Sequence, residues 1–251
     1  MRKGLTYNQK LEKMIHVGNP FRSSMPTNTP HTATDSLRDR IIRCVRKLDD
    51  LPSAADVQPR PAISDFDLGP VQKPVLNAPL KPAAVLVPIV EHPHGLSILF
   101  TKRTDHLHDH PGQVSFPGGR TEEADSGPVE TALRETEEEI GLKPSFIHVI
   151  GFLDTYETRT RYLVTPVVGL VTPGFRLNPD RFEVAEVFEV PLPFLLDPMN
   201  HQVKPRTIEE IRYGFYELEY EGYVIWGATA GMLMNLYRRM GKKCFETCPG
   251  L

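Results

Sequence analysis

The sequence predicts an α/β chain, and three observations carry that reading. Apolar runs of strand length stand at 83–90, 96–101, 146–153 and 162–171. A helix lies between the second and third, within the stretch 118–142, and its apolar residues recur at three- and four-residue steps. A second apolar stretch of helical period, 226–240, follows the strands. With 251 residues, 40% of them hydrophobic, the chain is long enough for one full core with appendages.

Residues 1–34 gather Pro, Thr, Ser and Asn in the run SSMPTNTPHTATD and are expected to form a flexible extension. Asp35 and Ser36 open a helix in which Leu37, Ile41, Cys44, Val45 and Leu48 share one side, ringed by Arg38, Arg40, Arg43, Arg46 and Lys47. Such a helix should dock on the domain and leave a solvated basic face. The Pro-rich stretch 51–82 reads as a linker or surface arm. The expected organisation is an extension (1–34), a helix and arm (35–81), the main domain (82–240) and a tail (241–251).

Residues 83–90 are a nearly unbroken apolar run, which suits a buried strand, and 96–101 should pair with them as a hairpin after the turn EHPHG. The loop 102–111 carries His106, His108 and His110. Their alternate spacing could present them together to a transition metal, although exposed loop histidines are the simpler account. The first long helix places Val129, Ala132, Leu133, Thr136 and Ile140 on one side, with Asp125 or Ser126 as cap, Pro128 in the first turn and Gly141 at the stop. Strands at 146–153 and 162–171 flank a polar loop in which Arg159 and Arg161 are candidate phosphate contacts. The aromatic and Met residues of 226–240 are expected in the core.

A net charge of −3 and a pI near 6.3 give no general attraction to nucleic acid or anionic membrane, so neither is an expected partner. Three cysteines, Cys44, Cys244 and Cys248, are too few for a disulfide framework and fit a reducing compartment. No run approaches the roughly 18 apolar residues of a membrane helix, and the basic N-terminus lacks the apolar centre of a secretion signal. The expected location is cytoplasmic, with a mitochondrial address and a homodimer left open.

The acids break a local rule. Glu135, Glu137, Glu138 and Glu139 crowd the last turn of their helix, where exposed carbonyls disfavour negative charge. Glu135 and Glu139 are also a like-charge pair four residues apart, which costs a helix about 0.2–0.5 kcal/mol. A hard divalent cation would compensate: positions i, i+3 and i+4 aim Glu135, Glu138 and Glu139 at one point, and magnesium takes oxygen ligands. A lone run of three glutamates is more often a solvated face, and the adjoining residues reverse that preference here.

The order Gly119, Asp125, then Arg134-Glu135-x-x-Glu138-Glu139-x-Gly141-Leu142 resembles the Nudix hydrolase signature, G-x5-E-x7-R-E-U-x-E-E-x-G-U. It departs in having Asp at 125, eight residues before Arg134, and Thr136 at the apolar U position. Upstream, Leu99-Phe100-Thr101-Lys102-Arg103-Thr104, then His108, Gly112 and Phe116-Pro117-Gly118-Gly119, are similar to the extended motif of the coenzyme A pyrophosphatase branch, L-L-T-x-R-[SA]-x3-R-x3-G-x3-F-P-G-G. Phe100, Thr104 and His108 replace Leu, Ser or Ala, and Arg. That branch commonly carries the same spacing change and a small residue at the U position. The resemblance covers about 82–240.

It implies a Nudix α/β/α sandwich, a mixed sheet between helices, and metal-dependent cleavage of a diphosphate bond. Mg2+ or Mn2+ would then be held by Glu135, Glu138 and Glu139, and Glu139 or Glu183 would take the proton of the attacking water. Arg134 would support catalysis by clamping a neighbouring carboxylate, such as Glu138, with a two-pronged hydrogen bond. Arg103, His110, Gln113, Gly118 and Gly119 would meet the substrate. Coenzyme A or an acyl derivative, cut to 3′,5′-ADP and the 4′-phosphopantetheine portion, is the leading expected substrate. His108 keeps ADP-ribose or a dinucleotide as the rival, and a nucleotide-sensing module without turnover is the third reading.

Overall fold

The computed structural model describes residues 36–50, 63–69, 79–107, 110–208 and 210–246. The expected N-terminal extension, most of the Pro-rich arm and the end of the C-terminal tail lie outside them. In chain order the elements are helix α1 (Leu37–Cys44), then strands β1 (Ile63–Ser64), β2 (Lys81–His92), β3 (Gly95–Arg103), β4 (Val114–Ser115) and β5 (Gly118–Arg120). Helix α2 (Pro128–Ile140) precedes β6 (Ile147–Phe152), β7 (Tyr156–Glu157), β8 (Tyr162–Val171) and β9 (Val184–Pro191). A short helix α3 (Leu192–Leu196) leads to β10 (Gln202–Ile208), β11 (Ile211–Tyr220), β12 (Tyr223–Trp226) and the long helix α4 (Gly227–Glu246).

Among the described residues, nine strands make one mixed sheet, with β2 at its centre. β2 runs parallel to β8 from Lys81–Tyr162 to Val90–Val171, and antiparallel to β3 as the expected hairpin. Its residues alternate between two cores, as the period of a strand requires. Ala84 and Leu86 pack with Ala132 of α2 and Val167, whereas Val87 and Ile89 join Ile41, Cys44 and Leu236 on the other side. Helices thus cover both faces, the α/β/α arrangement, which is why 83–90 is apolar without alternation.

Two strands share one edge of β2. Its Ile89–His92 end pairs with β3, and its Ala83–Val85 end pairs with β5, which seats Gly118 and Gly119 inside the sheet beneath α2. The cap of α2 differs from expectation: Gly127 holds the position of Asp125 or Ser126, without a side-chain cap, and Glu130 accepts from the Ser126 N–H at 2.7 Å. Pro128 opens the first turn and Gly141 ends the helix in the left-handed region at φ 69°. Thr136 is fully buried, its hydroxyl donating to the Ala132 carbonyl at 2.6 Å, so a polar residue fits where an apolar one is usual.

The second sheet, β10–β11–β12, was not anticipated. Its signals were the Tyr213 and Phe215 alternation and the turn at Glu221-Gly222, where both residues have positive φ. Trp226 closes β12 rather than opening the helix, and α4 extends to Glu246, past the expected end at 240. On the far side, α1 buries Ile41 and Cys44 in the main core, while Leu48 remains 40% exposed. Among the described residues, no helix is long and apolar enough to cross a membrane.

Candidate active site

The two glycines of β5 clear two kinds of space. A Cβ at Gly118 would stand 2.4 Å from the Ala84 carbonyl oxygen, and its φ of 150° is one that side chains rarely adopt, so here the backbone itself demands glycine. At Gly119 the obstruction would be the Glu135 side chain, whose carboxyl carbon lies 2.4 Å from where a Cβ would be. Gly118 lets the strand pass; Gly119 leaves room for a carboxylate.

Glu139 is 9% exposed and accepts from the Gly118 N–H at 3.2 Å. Burial pushes its carboxyl up to about 8, with the charges of Glu183 and Glu135 adding to the rise and the Gly118 N–H and Arg103 opposing it. Burial raises Glu135 as well, against its hydrogen bond from Arg134. Glu135, Glu139 and Glu183 therefore act on one another electrostatically.

Glu138 also acts on Glu135 by its charge and shares the Arg134 Nη1 with it, but it stands at the solvent side of the group. Its side chain is 61% exposed and lies 3.3 Å from Arg134. The buried side of α2 centres on Ala132, Thr136 and Ile140, and at about 100° per residue Glu139 and then Glu135 follow along one border of it, with Glu138 roughly 60° beyond Glu135. Of the three expected carboxylates, Glu135 and Glu139 thus face the fold while Glu138 lies outward, tied to Arg134. Among the described residues, no three His, Cys, Asp or Glu side chains stand ready-gathered for a metal ion. The inner set nonetheless suits a hard divalent cation: its donors are all oxygen, and two of its carboxyls are raised in a way that positive charge would relieve.

Arg134 differs from expectation in its main partner. Its two-pronged bond goes to Asp125, Nε to Oδ1 at 3.0 Å and Nη2 to Oδ2 at 2.9 Å, and only single bonds reach Glu135 at 3.0 Å and Glu138. Nη2 also donates to the Arg120 carbonyl at 3.1 Å. These hydrogen bonds from Arg134 hold Asp125 well below the usual carboxylate range, and the Glu122 N–H and Thr131 hydroxyl add to them. Asp125 is the site residue that sequence reasoning undervalued. Its signal was the acid in the loop before Arg134.

Arg103 stands where β3 slips register against β9. Its Nε is buried with no hydrogen-bond partner among the described residues, and its charge reaches Glu139. The next residue stitches the Glu183 loop in place: the Thr104 N–H donates to the Glu183 carbonyl at 3.0 Å and its hydroxyl to the Phe182 carbonyl at 2.8 Å. Glu186, equally acidic in sequence, is exposed and takes the Tyr223 hydroxyl instead.

His110 and Gln113 shape the loop behind Arg103. The Gln113 N–H donates to the His110 carbonyl, and the Gln113 carbonyl accepts the Arg103 N–H at 2.9 Å. His110 is exposed at φ 56°, His106 meets the ring of Phe182, and His108 lies outside the described residues. The loop arginines are engaged elsewhere: Arg159 lies 4.8 Å over the Tyr213 ring, and Arg161 pairs with Glu157 at 2.6 Å.

The NUDIX domain model matches residues 80–211, just over half of the 251. The protein named Uncharacterized Nudix hydrolase NudL of Escherichia coli (strain K12) is 40% identical over 165 residues, 64% of this chain and 83% of its own length. The protein of the same name in Yersinia enterocolitica serotype O:8 / biotype 1B is 38% identical over 178 residues, 71% of this chain and 91% of its own. Among solved structures, the Nudix hydrolase RenU of M. smegmatis aligns with a TM-score of 0.44 and 18% identity, over 69% of this chain and 91% of that one. On the domain match and these sequence relatives, the chain belongs to the Nudix hydrolase family, enzymes that act on phosphorus-containing anhydrides.

Proposed function

We propose that the chain hydrolyses the diphosphate bond of coenzyme A or an acyl derivative, releasing 3′,5′-ADP and 4′-phosphopantetheine or its acyl form. The observation that carries the hydrolytic part is the pair of carboxylates, Glu135 and Glu139, set against Gly118–Gly119, with Glu183 and Arg103 acting on Glu139 by their charge. The coenzyme A part rests on the run from Leu99 to Gly119 and its likeness to that branch.

Nudix hydrolases generally use divalent metals and act on small nucleotide derivatives. Glu135 and Glu139 would hold Mg2+ or Mn2+, joined by Glu183 or by Glu138 once released from Arg134. The ion, when bound, offsets diphosphate charge and lowers the pKa of a water. Arg103 grips phosphate oxygens with its planar fork, and Gly119 leaves room for the Glu135 carboxylate. Glu183, outside α2 and half-buried, takes the proton of the attacking water, a role in which Glu139 is the second candidate. Arg134, braced on Asp125, orients Glu135.

His108 favours a second reading, since an Arg stands there in the coenzyme A motif: ADP-ribose or a dinucleotide as substrate. Coenzyme A, ADP-ribose and a dinucleotide, each given with magnesium and with manganese and analysed by product mass, separate the two. Coenzyme A should be cleaved most efficiently, and equal rates for coenzyme A and ADP-ribose would remove the narrower assignment.

A further inference from the structure

Phe182 is out of place on the rim of this site. Its backbone is pinned: its N–H donates to Asp180 Oδ1 at 2.9 Å, its carbonyl accepts the Thr104 hydroxyl at 2.8 Å, and the next carbonyl accepts the Thr104 N–H at 3.0 Å. A segment held so tightly does not leave a ring in water through slack, yet Phe182 is 64% exposed. Among the described residues its ring contact is His106, edge-on with centroids 4.9 Å apart at 61°, a geometry that props the ring at its edge.

The surroundings say what would cover it. Phe182 precedes Glu183, whose charge acts on Glu139 and Glu135, and its carbonyl is tied to Thr104, the neighbour of Arg103, whose charge also acts on Glu139. An exposed, backbone-fixed ring one residue from a carboxylate cluster suits a flat π-faced group attached to a diphosphate. A flexible chain would call for a groove rather than a single ring. We propose that Phe182, propped by His106, is the stacking platform for the purine base of a nucleoside diphosphate substrate, and so a specificity-determining residue. This rests on the diphosphatase reading of the same site.

The test is calorimetric binding of ADP and of inorganic pyrophosphate, with magnesium present, to wild type, Phe182→Ala and Phe182→Trp. Phe182→Ala should weaken ADP about tenfold, within the range of base stacking on an aromatic ring, and leave pyrophosphate unchanged. Phe182→Trp should restore ADP affinity, and ADP should quench the emission of the new indole. Equal losses for both ligands, unchanged ADP affinity in Phe182→Ala, or no ADP binding by wild type would each overturn the platform. Turnover of the substrate panel judges the diphosphatase reading separately: a protein that binds ADP through Phe182 but cleaves no diphosphate would sink that reading and keep the platform.

Discussion

Glu139 shows how one residue links burial to chemistry. Its carboxyl sits at about 8 in the fold against an ordinary 4.5, so the folded, metal-free protein holds a proton that the unfolded chain releases. The stability this gives is full below about 4.5 and is lost as pH rises towards 8. Thermal melts of metal-free wild type and Glu139→Gln across that interval should therefore diverge, with wild type losing ground to the variant as pH rises. Parallel curves would contradict the burial. Gly119→Ala probes the neighbouring carboxylate: the added methyl meets only the far end of a flexible side chain, so the melting temperature should hold. Glu135 is displaced, and kcat/KM should fall about 10- to 100-fold, the range for misplacing a metal ligand's support. At this scale the sequence was partly legible. The motif spacing singled out Glu135 and Glu139, but spacing alone does not say how a helix is rotated against its core, and that rotation sends Glu138 to solvent.

At the scale of the element, α2 and its preceding loop form one unit clamped by Arg134 and Asp125. Asp125 has a side chain only 3% exposed and gathers Arg134, Thr131 and the Glu122 N–H. Asp125→Ala should cost about 1–3 kcal/mol in urea unfolding, since it strands a guanidinium that the fold has paired. It should also lower turnover, because Arg134 then orients Glu135 without a brace. A variant with native stability and native kinetics would show the clamp to be idle. β2, β3, β8 and α2 were legible because each carries its own periodic signal. Arg134 reaches Glu135 and Glu138 as helical spacing allows, but its two-pronged bond goes to Asp125, the better-shielded acid that the loop supplies. β10 was missed because Gln202–Ile208 is polar, holds a Pro and acquires strand character only by pairing with β11.

Across the whole molecule, a polar junction helps bind segments outside the matched domain region to it. Arg239 of α4 donates to the Cys44 carbonyl at 2.8 Å and makes two bonds of 3.0 Å to Asp154, which Asn235 also holds. Asp154→Ala should destabilise the fold by about 1–3 kcal/mol, as loss of a charged hydrogen-bond partner does, while leaving kcat/KM unchanged. A kinetic defect without a stability loss would instead tie this junction to the site. The docking of α1 was legible from its apolar side, but the arginine that fastens it lies almost 200 positions away, beyond any local pattern.

The proposed chemistry turns on Glu135 and Glu139, set against Gly118–Gly119, acting with a divalent ion. Turnover of coenzyme A by wild type and Glu139→Gln, over a magnesium titration and with folding checked by thermal melt, tests this directly. Wild type should show ion-dependent release of 3′,5′-ADP, and the folded variant should show none at any magnesium concentration. A folded Glu139→Gln that keeps a substantial fraction of wild-type turnover would contradict it.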